Sequence, residues 1–341
     1  MAQQDVSAIV ARAPLWHRWS VTPAPPSPPP GASAGRIAIA LCTLNGAGHL
    51  AAQLDSYEAQ DIDNWDLWVS DDGSTDATHA ILADYASRWQ GRHRITLLEG
   101  PRRGVAANFL SLLCHPALPA DRPVALSDQD DVWYPDKLRR AVQTMSRAGR
   151  NARGRALLYG ARSLHVDAMM RPLGRSRMPR RPPSLANAIT QNIVSGHSAV
   201  LNPAALEVVR RAGEPQDVPY HDWWLYQLIT AAGGQVLIED AVVLAYRQHH
   251  ANAMGAHRGL SARAERIGTI MSGTYGDWIR RNLSALSAVS AGLTPPARAM
   301  VAELGGGKRR IGPRQLRRTG LYRQSRTATA ALYAAALLGR L

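Results

Sequence analysis

Two clusters of acidic side chains, each directly after a short apolar segment, are the residues of this chain best suited to chemistry. The first begins with Asp71 and Asp72, and the second contains Asp128, Asp130 and Asp131. The carboxyl ends of strands in one α/β sheet face a common crevice, so we expect both clusters to meet there. Carboxylates gathered in one place repel each other unless a cation lies between them. The pattern therefore predicts a divalent metal that holds a phosphorylated ligand.

The first cluster is predicted to contact a nucleoside. Two adjacent carboxylates at the end of a strand are costly to bury without partners. A helix is expected to follow, and either Asp76 or Ser74 can cap it, which is the purely structural interpretation. We expect this to leave Asp71 and Asp72 free to accept hydrogen bonds from a uracil or thymine ring and from ribose hydroxyls.

The first predicted strand ends in Thr43, Leu44, Asn45 and Gly46. Thr43 and Asn45 can hydrogen-bond a base or a ribose, and Gly46 permits a tight turn close to a ligand. A helix N-cap accounts for the same residues equally well. The segment therefore becomes a nucleotide-binding candidate only in combination with the acidic clusters.

The second cluster is predicted to hold a metal ion. Asp128 and Asp130 are placed where Mg²⁺ or Mn²⁺ would bridge two phosphates through carboxylates and water. Asp131 is instead expected to cap the helix that Pro135 opens. Trp133 offers either an aromatic wall for the ligand or a core side chain.

Two later segments carry further candidates. Asp222 opens a helix just before Trp223 and Trp224, where a carboxylate could be an N-cap or a general base. Arg247 and His249 follow the last predicted strand, and a cation with an imidazole suits a diphosphate and its metal.

The order of apolar segments predicts the fold. Strands alternate with helices from Arg36 onward, which is typical of an α/β protein with a doubly wound, mainly parallel sheet and helices on both faces. A strand pair is expected at 235–238 and 241–246, and a mobile loop from Arg171 to Pro183. The predicted divisions are a disordered Pro-rich tail at 1–35, a catalytic domain at 36–259 with a nucleotide-binding half (36–131) and an acceptor half (132–259), and a helical C-terminal extension with a basic tail at 260–341.

Composition limits the class of protein. The chain has 341 residues, 45% of them hydrophobic, and a formal charge of +14. It has two cysteines and no recognisable signal peptide or spanning segment, so we expect a cytoplasmic protein. The positive charge suggests an anionic partner, but no basic and aromatic residues are interleaved as in a nucleic-acid-binding module.

The C-terminal segment suggests a place for that charge. Residues 304–341 contain nine Lys or Arg and no acidic residue, followed by an Ala/Leu-rich helix. This composition predicts peripheral contact with an anionic membrane, at the inner face of the cytoplasmic membrane. Packing of that helix on the catalytic domain, or dimerisation through it, remains an equal alternative.

Three other enzyme classes do not fit. A nicotinamide dehydrogenase would have three glycines after the first strand, and Gly46-Ala47-Gly48 lacks the third. A P-loop needs Gly-Lys-Ser/Thr, whereas Lys308 precedes an arginine. A processive polysaccharide synthase would carry membrane helices and Gln-x-x-Arg-Trp, whereas Tyr85 occupies the glutamine position before Arg88-Trp89.

Taken together, these motifs resemble the family 2 glycosyltransferases of the GT-A fold, in particular the bacterial rhamnosyltransferase-like branch. The resemblance runs from about Arg36 to Gly255. It rests on these segments: Cys42-Thr43-Leu44-Asn45-Gly46, Asp71 to Asp76, Asp128-Gln129-Asp130 as a DXD motif, Asn192 to His197, His221-Asp222-Trp223-Trp224, and Tyr246-Arg247-Gln248-His249 with Asn252.

The resemblance implies an inverting, metal-dependent sugar transfer from a nucleotide-diphospho-sugar to a hydroxyl of a cell-surface glycan or lipid-linked acceptor. Asp222 would be the general base. The other implied roles are nucleotide binding by Thr43, Asn45, Asp71, Asp72 and Asp128, metal binding by Asp128, Asp130 and His249, and diphosphate or acceptor contact by Arg247, Trp223, Gly196 and Trp133. The donor is expected to be dTDP-rhamnose; a UDP-hexose donor and a catalytically idle scaffold are the alternatives.

Overall fold

The computed structural model describes residues 35–151, 154–248 and 272–341. The predicted Pro-rich tail, except for residue 35, lies outside the described residues, as do His249 and Asn252.

Strands and helices alternate through the first half of the described chain, as the sequence predicted. The strands are β1 (Ile37–Thr43), β2 (Trp65–Asp71), β3 (Ile95–Glu99), β4 (Val124–Ser127), β5 (Val132–Trp133), β6 (Leu157–Val166), β7 (Pro172–Arg175), β8 (Val200–Leu201) and β9 (Gln235–Arg247). The helices are α1 (Leu50–Glu58), α2 (Thr78–Arg88), α3 (Val105–Cys114), α4 (Lys137–Asn151), α5 (Leu185–Ala188), α6 (Pro203–Ala212), α7 (His221–Ala231), α8 (Thr274–Ala288), α9 (Pro295–Glu303), α10 (Pro313–Thr319) and α11 (Arg326–Leu337).

One mixed sheet organises the molecule in the order β3-β2-β1-β4-β8-β6-β9-β5, with β7 paired to β6. The strands β3, β2, β1 and β4 are parallel, and β8 joins them to β6 through antiparallel pairs on both sides. The long pair β6–β9 is again parallel. Because β1, β2 and β4 run in the same direction, their carboxyl ends meet at one edge of the sheet, where the acidic clusters begin.

The sequence of β1 explains why helices cover both faces of the sheet. All seven of its residues are buried, and successive side chains point to opposite faces. Ile37, Ile39 and Leu41 pack in one cluster with α1, α2 and α4. Ala38 and Ala40 face a second cluster that contains α3, α6 and α7.

The C-terminal helices α8 to α11 belong to that second cluster. Leu283 of α8, Leu316 of α10, Leu332 of α11 and Leu341 beyond it are all buried there. The packing alternative for the C-terminal helix is therefore what the structure shows. Among the described helices, none is long and apolar enough to cross a membrane.

Two local predictions were wrong. The expected strand pair at 235–246 is one continuous strand, β9, since its backbone pairs with β6 along nearly its whole length through two register shifts. The segment 171–183, expected to be a mobile loop, contains β7, and Arg180 and Arg181 donate their backbone N–H groups to Gln324 Oε1 at 2.9 Å each.

Candidate active site

The ends of three parallel strands bring the predicted site residues together. Thr43 at the end of β1 lies in register with Asp71 at the end of β2. On the other side of β1, Leu41 is in register with Ser127, the last residue of β4, so Asp128 follows at the same edge. Asp71 and Asp128 therefore flank the end of β1, as the sequence predicted.

The carboxylate of Asp71 is hydrogen-bonded to neighbouring residues of the protein. Its carboxylate accepts hydrogen bonds from Thr43 Oγ1 at 2.7 Å, from Ser74 Oγ at 2.6 Å and from the N–H groups of Gly73 and Ser74. His79 Nε2 lies 3.0 Å from the same group. Burial raises the pKa of Asp71, but these hydrogen bonds outweigh it and lower the pKa to about 2.

Asp72 also has partners within the protein. It accepts from the backbone N–H of Arg102 at 2.6 Å and of Gly104 at 3.0 Å, just before α3 begins. Asp71 and Asp72 thus shape the two loops around the crevice. We had expected both carboxylates to be free for a ligand; the structure instead gives each of them main-chain donors.

The segment after β1 is connected to both acidic clusters. Asn45 has a positive φ of 50° and accepts a hydrogen bond from Thr75 N at 2.8 Å, which joins it to the first cluster. Gln129, inside the second cluster, binds both main-chain groups of Leu44 through its amide, at 2.9 and 3.0 Å. A Cβ on Gly46 would lie 2.4 Å from Gln129 Oε1, so a larger residue would have to displace the Gln129 side chain.

The second cluster contains a set of ligand atoms suited to a metal ion. Carboxylate oxygens of Asp128 and Asp131 and a ring nitrogen of His197 lie within 4.8 Å of one another. Asp131 is fully buried, and its Oδ2 has no hydrogen-bond partner among the described residues. The sequence had predicted Asp131 as a helix cap; its Oδ1 instead accepts from Arg247 N at 3.3 Å.

Burial and mutual repulsion shift the pKa values of these groups. Burial raises the pKa of the Asp128 carboxyl to about 7, and the negative charges of Asp130 and Asp222 add to the rise. Burial raises the pKa of Asp131 well above its usual range, and the negative charges of Asp128 and Asp130 add to the rise. Burial lowers the pKa of His197 to about 3, so its ring is neutral, which is the form that binds metals.

Lys137 supplies one internal positive charge. It is completely buried at the start of α4, and its Nζ donates to the carbonyl of His197 at 2.5 Å. The same nitrogen lies 3.4 Å from the centre of the Trp133 ring. Burial lowers the pKa of Lys137 well below its usual value, against the charges of Asp131 and Asp128. Lys137 thus faces the carboxyl groups of Asp128 and Asp131.

Arg247, predicted to contact the diphosphate, is hydrogen-bonded to the loop that carries the second cluster. The main-chain carbonyl of Asp130 accepts from Arg247 Nε at 3.1 Å, and Ala168 accepts from the same guanidinium. Arg247 is buried and therefore fixes the loop that carries the second cluster. Asp131 and His197 lie beside Asp128. His249 lies outside the described residues, and metal binding by Asp130 and His249 stays a prediction.

Asp222 lies at the start of α7 in a fixed orientation. Its Oδ2 accepts from the N–H of Gly196 at 3.0 Å and its Oδ1 from the N–H of Trp223 at 2.7 Å. A Cβ on Gly196 would lie 2.5 Å from Nε2 of His221, so glycine is required for this approach. Because Gly196, which binds Asp222, directly precedes His197 of the cluster, the candidate base and the candidate metal cluster belong to one site.

The two tryptophans predicted to contact ligand are core residues. Trp133 is 1% exposed and packs against Tyr57, with ring centres 4.7 Å apart. Trp223 is 5% exposed and donates from Nε1 to the carbonyl of Ala188 at 2.6 Å. An apolar ring beside a carboxylate can support it from the core side, and contact of either tryptophan with a ligand stays a prediction.

Comparison with known proteins identifies the family. The model of the family "Glycosyl transferase family 2" matches residues 38–208, which is half of the chain and includes both acidic clusters and Gly196. The chain belongs to glycosyl transferase family 2. It is therefore an enzyme that transfers sugars.

One curated relative of this family 2 glycosyltransferase is the dTDP-rhamnosyl transferase RfbG of Shigella flexneri. The two are 26% identical over 255 residues, which cover 72% of this chain and 84% of the relative. A solved structure, S. aureus TarS 1-349 in complex with UDP-GlcNAc, aligns with a TM-score of 0.52 over 84% of this chain and 93% of that one. At 13% identity this likeness shows the fold alone, and the fold is GT-A, as predicted.

Sequence reasoning missed several residues that build this glycosyltransferase site. Gln129 was considered only as the middle residue of a DXD motif, and Lys137 and His197 were given no role. For Lys137 a signal was present in the sequence, since it is one of two lysines in a chain with 40 basic residues. What makes them functional candidates is burial, which spacing does not reveal.

Proposed function

We propose that this family 2 glycosyltransferase transfers a sugar from a nucleotide-diphospho-sugar with inversion at the anomeric carbon, and that Asp222 is the general base. One observation carries the proposal. The carboxylate of Asp222 is held by two main-chain N–H groups and acts electrostatically on Asp128, so a base and an acidic cluster meet at one crevice. An inverting displacement needs these two functions on opposite sides of the reacting carbon.

The proton and electron balance of the step is simple. An acceptor hydroxyl gives its proton to Asp222 while its oxygen forms a bond to the anomeric carbon. The bond from that carbon to the diphosphate oxygen breaks, and its electron pair leaves with the nucleoside diphosphate. Because Gly196 and Trp223 fix both carboxylate oxygens, Asp222 needs no rotamer change before it takes the proton.

The second cluster fits Mg²⁺ or Mn²⁺. Asp131 Oδ2 is buried without a partner, Asp128 and Asp131 repel each other, and His197 is neutral. We propose Asp128, Asp131 and His197 as the residues that hold the ion, with Asp130 and His249, the earlier candidates, as further ligands to test. When bound, such an ion neutralises the charge that develops on the leaving diphosphate.

For the donor we propose dTDP-rhamnose, supported by the likeness to RfbG over most of both chains. Thr43, Asn45, Asp71 and Asp72 would form the nucleoside side of the pocket through the loops that they hold, and Arg247 and Gly196 the diphosphate and acceptor side. A UDP-hexose donor is the second candidate, since the structurally similar TarS was solved with UDP-GlcNAc.

Slow hydrolysis of donors by the purified protein tests the proposal. We expect one of dTDP-rhamnose, UDP-glucose, UDP-galactose and UDP-N-acetylglucosamine to release its nucleoside diphosphate with Mn²⁺ or Mg²⁺, and none with EDTA. Asp128→Asn should abolish this release. An active protein in EDTA would contradict the metal, and a protein that binds donors without turning any over would be an idle scaffold.

We further propose peripheral contact with an anionic membrane, close to a lipid-linked acceptor. Leu337 and Leu338 are 75% and 61% exposed, and the next basic residue, Arg340, follows two positions later. The Leu337→Ser/Leu338→Ser variant should float less with phosphatidylglycerol vesicles than the wild type, and neither should float with phosphatidylcholine. Truncation is a poor test, because Leu332 and Leu341 belong to the core.

A further inference from the structure

A basic cavity lies outside the site described so far. It has a volume of about 700 Å³ and forms where the segment between β7 and α5 meets the start of α11. Four of its lining residues are arginines, namely Arg180, Arg181, Arg323 and Arg326, and the remaining ones are neutral polar residues. A concave surface with convergent cationic groups is typical of an anion-binding site.

Two of these arginines are held in place by the protein. The guanidinium of Arg181 stacks 3.4 Å from the centre of the Tyr322 ring. Arg323 donates from Nη1 to the carbonyl of Thr190 at 2.9 Å and to the hydroxyl of Tyr275 at 2.7 Å. Their positions are therefore set before any ligand arrives, which reduces the entropy that binding would cost.

The backbone that carries the other wall of the cavity is also fixed. Gln324 accepts from the N–H groups of Arg180 and Arg181 through Oε1 and donates from Nε2 to Asn187 at 3.0 Å. Arg326 begins α11, whose N-cap Ser325 binds Ala328 N. The N-terminal turn of an α-helix adds partial positive charge to this wall.

The positive charge in the cavity has no acidic counterpart within the described parts of the chain. Other arginines nearby do have one: Arg162 pairs with Asp240, and Arg171 with Asp167. For the four cavity arginines, no carboxylate of residues 35–151, 154–248 or 272–341 is within ion-pair distance. Four like charges in one concavity raise the free energy of the protein, and a bound anion would offset this.

The cavity is connected to the acceptor side of the active site. Its residues Arg323 and Gln324 bind Thr190 and the side chain of Gln191. From Gln191 the chain needs five residues to reach Gly196, at most about 18 Å of extended chain, and Gly196 holds Asp222. A ligand in the cavity is therefore within reach of the proposed base.

We propose that this cavity binds a phosphate or diphosphate group carried by the acceptor substrate. That the phosphate belongs to the acceptor substrate rests on the proposed function, whereas the anion site itself does not. The site would distinguish a phosphorylated acceptor from a neutral glycan, and it would orient the reacting hydroxyl toward Asp222 from a fixed anchor.

Calorimetric titration of inorganic pyrophosphate in EDTA tests the anion site. EDTA removes divalent ions, so the acidic cluster repels the probe rather than binding it. We expect the wild type to bind, and the Arg180→Gln/Arg326→Gln variant to bind about tenfold or more weakly for each arginine removed. The matched control is Arg314→Gln, which removes an exposed arginine of the same basic segment outside the cavity and should bind like the wild type.

Other outcomes have definite meanings. No binding by the wild type, or equal binding by the double variant with an unchanged melting temperature, would overturn the site. Farnesyl diphosphate binding more tightly than pyrophosphate, while farnesol does not bind, would indicate a lipid-bound phosphate; equal binding would indicate recognition of the phosphate alone. Donor hydrolysis should be unchanged in the double variant. If no donor is hydrolysed but the binding difference persists, the proposed function fails and the anion site stands.

Discussion

Asp71 and Asp128 are the same residue type at the same edge of one sheet, on either side of β1, and the protein treats them in opposite ways. Four donors surround Asp71 and hold its pKa near 2. Burial and two neighbouring carboxylates raise the pKa of Asp128 to about 7. The first carboxylate completes the structure, whereas the second leaves a charge imbalance that a cation would relieve. Partners, and not position on the sheet, separate structural from functional carboxylates here.

The largest expected effect tests whether the site that contains Asp128 carries out catalysis. Asp222→Asn retains the size and shape of the side chain but cannot take a proton, so sugar transfer should fall by about 10²- to 10⁴-fold. Donor binding should not change. Steady-state transfer rates and donor titration measure the two quantities. Asp217→Asn, an exposed carboxylate just before α7, is the control, and an equal loss there would point to misfolding.

The second-largest expected effect tests whether Asp71 stabilises the fold. Asp71→Asn removes the charge and one of the two oxygens that accept from the four donors, and the lowered pKa corresponds to about 2 kcal/mol of folding free energy at pH 7. A group with a lowered pKa stabilises above its unfolded pKa, so this contribution should disappear as the pH falls from about 4 to about 2. Urea unfolding measures it. Asp121→Asn, whose partner is the adjacent Arg122, should leave the unfolding midpoint in place.

For Asp128, the change in stability with pH is expected to have the opposite sign. A carboxyl whose pKa is raised in the folded state loses stability as the pH rises from about 4 to about 7. Asp128→Asn mimics the protonated form and should therefore be more stable than the wild type at pH 8 in EDTA, with no difference near pH 4.

Two features make this measurement specific. His197, with its lowered pKa, contributes a slope of the opposite sign, but it is present in both proteins and cancels in the difference. Addition of Mn²⁺ should stabilise the wild type and not the variant, which reverses their order. A variant less stable than the wild type in EDTA at every pH would show that Asp128 is structural, like Asp71.

The smallest expected effect concerns Gln129, which links the second acidic cluster to the end of β1. Gln129→Ala removes two hydrogen bonds to Leu44 and should lower the free energy of unfolding by about 0.5 kcal/mol. Because the bond joins the end of β1 to the acidic loop, we also expect the donor KM to rise several-fold with little change in kcat. A changed kcat with an unchanged KM would assign Gln129 to the chemical step instead.

The strand ends could be predicted because they depend on local patterns. β1 and β2 are continuous apolar segments followed by polar turns, so Thr43, Asp71 and Asp128 were correctly expected at one edge. The partners of Asp71 could not be predicted in the same way. Three of its donors come from the turn that follows it, and the choice between a free and a saturated carboxylate depends on φ and ψ angles that residue types do not determine.

The metal cluster was harder to predict, because its members come from distant parts of the chain. His197 reaches Asp128 and Asp131 only through the pairing of β8 with β4. Trp133 and Trp223 show the converse difficulty, since an aromatic residue beside a carboxylate fits both a ligand wall and a core. Fractional exposure decides between the two, and it follows from the packing of the whole molecule.

The burial of Lys137 has a practical consequence for labelling. Lys137 and Lys308 are the two lysines of the chain; Lys137 is fully buried and Lys308 is exposed. A lysine-acylating reagent will therefore mark Lys308 in the folded protein, on the basic C-terminal segment, and reach Lys137 only in molecules whose interior has opened. The rate at which the peptide that contains Lys137 becomes acylated, measured by mass spectrometry, thus reports how often the acidic cluster opens. No engineered probe is needed.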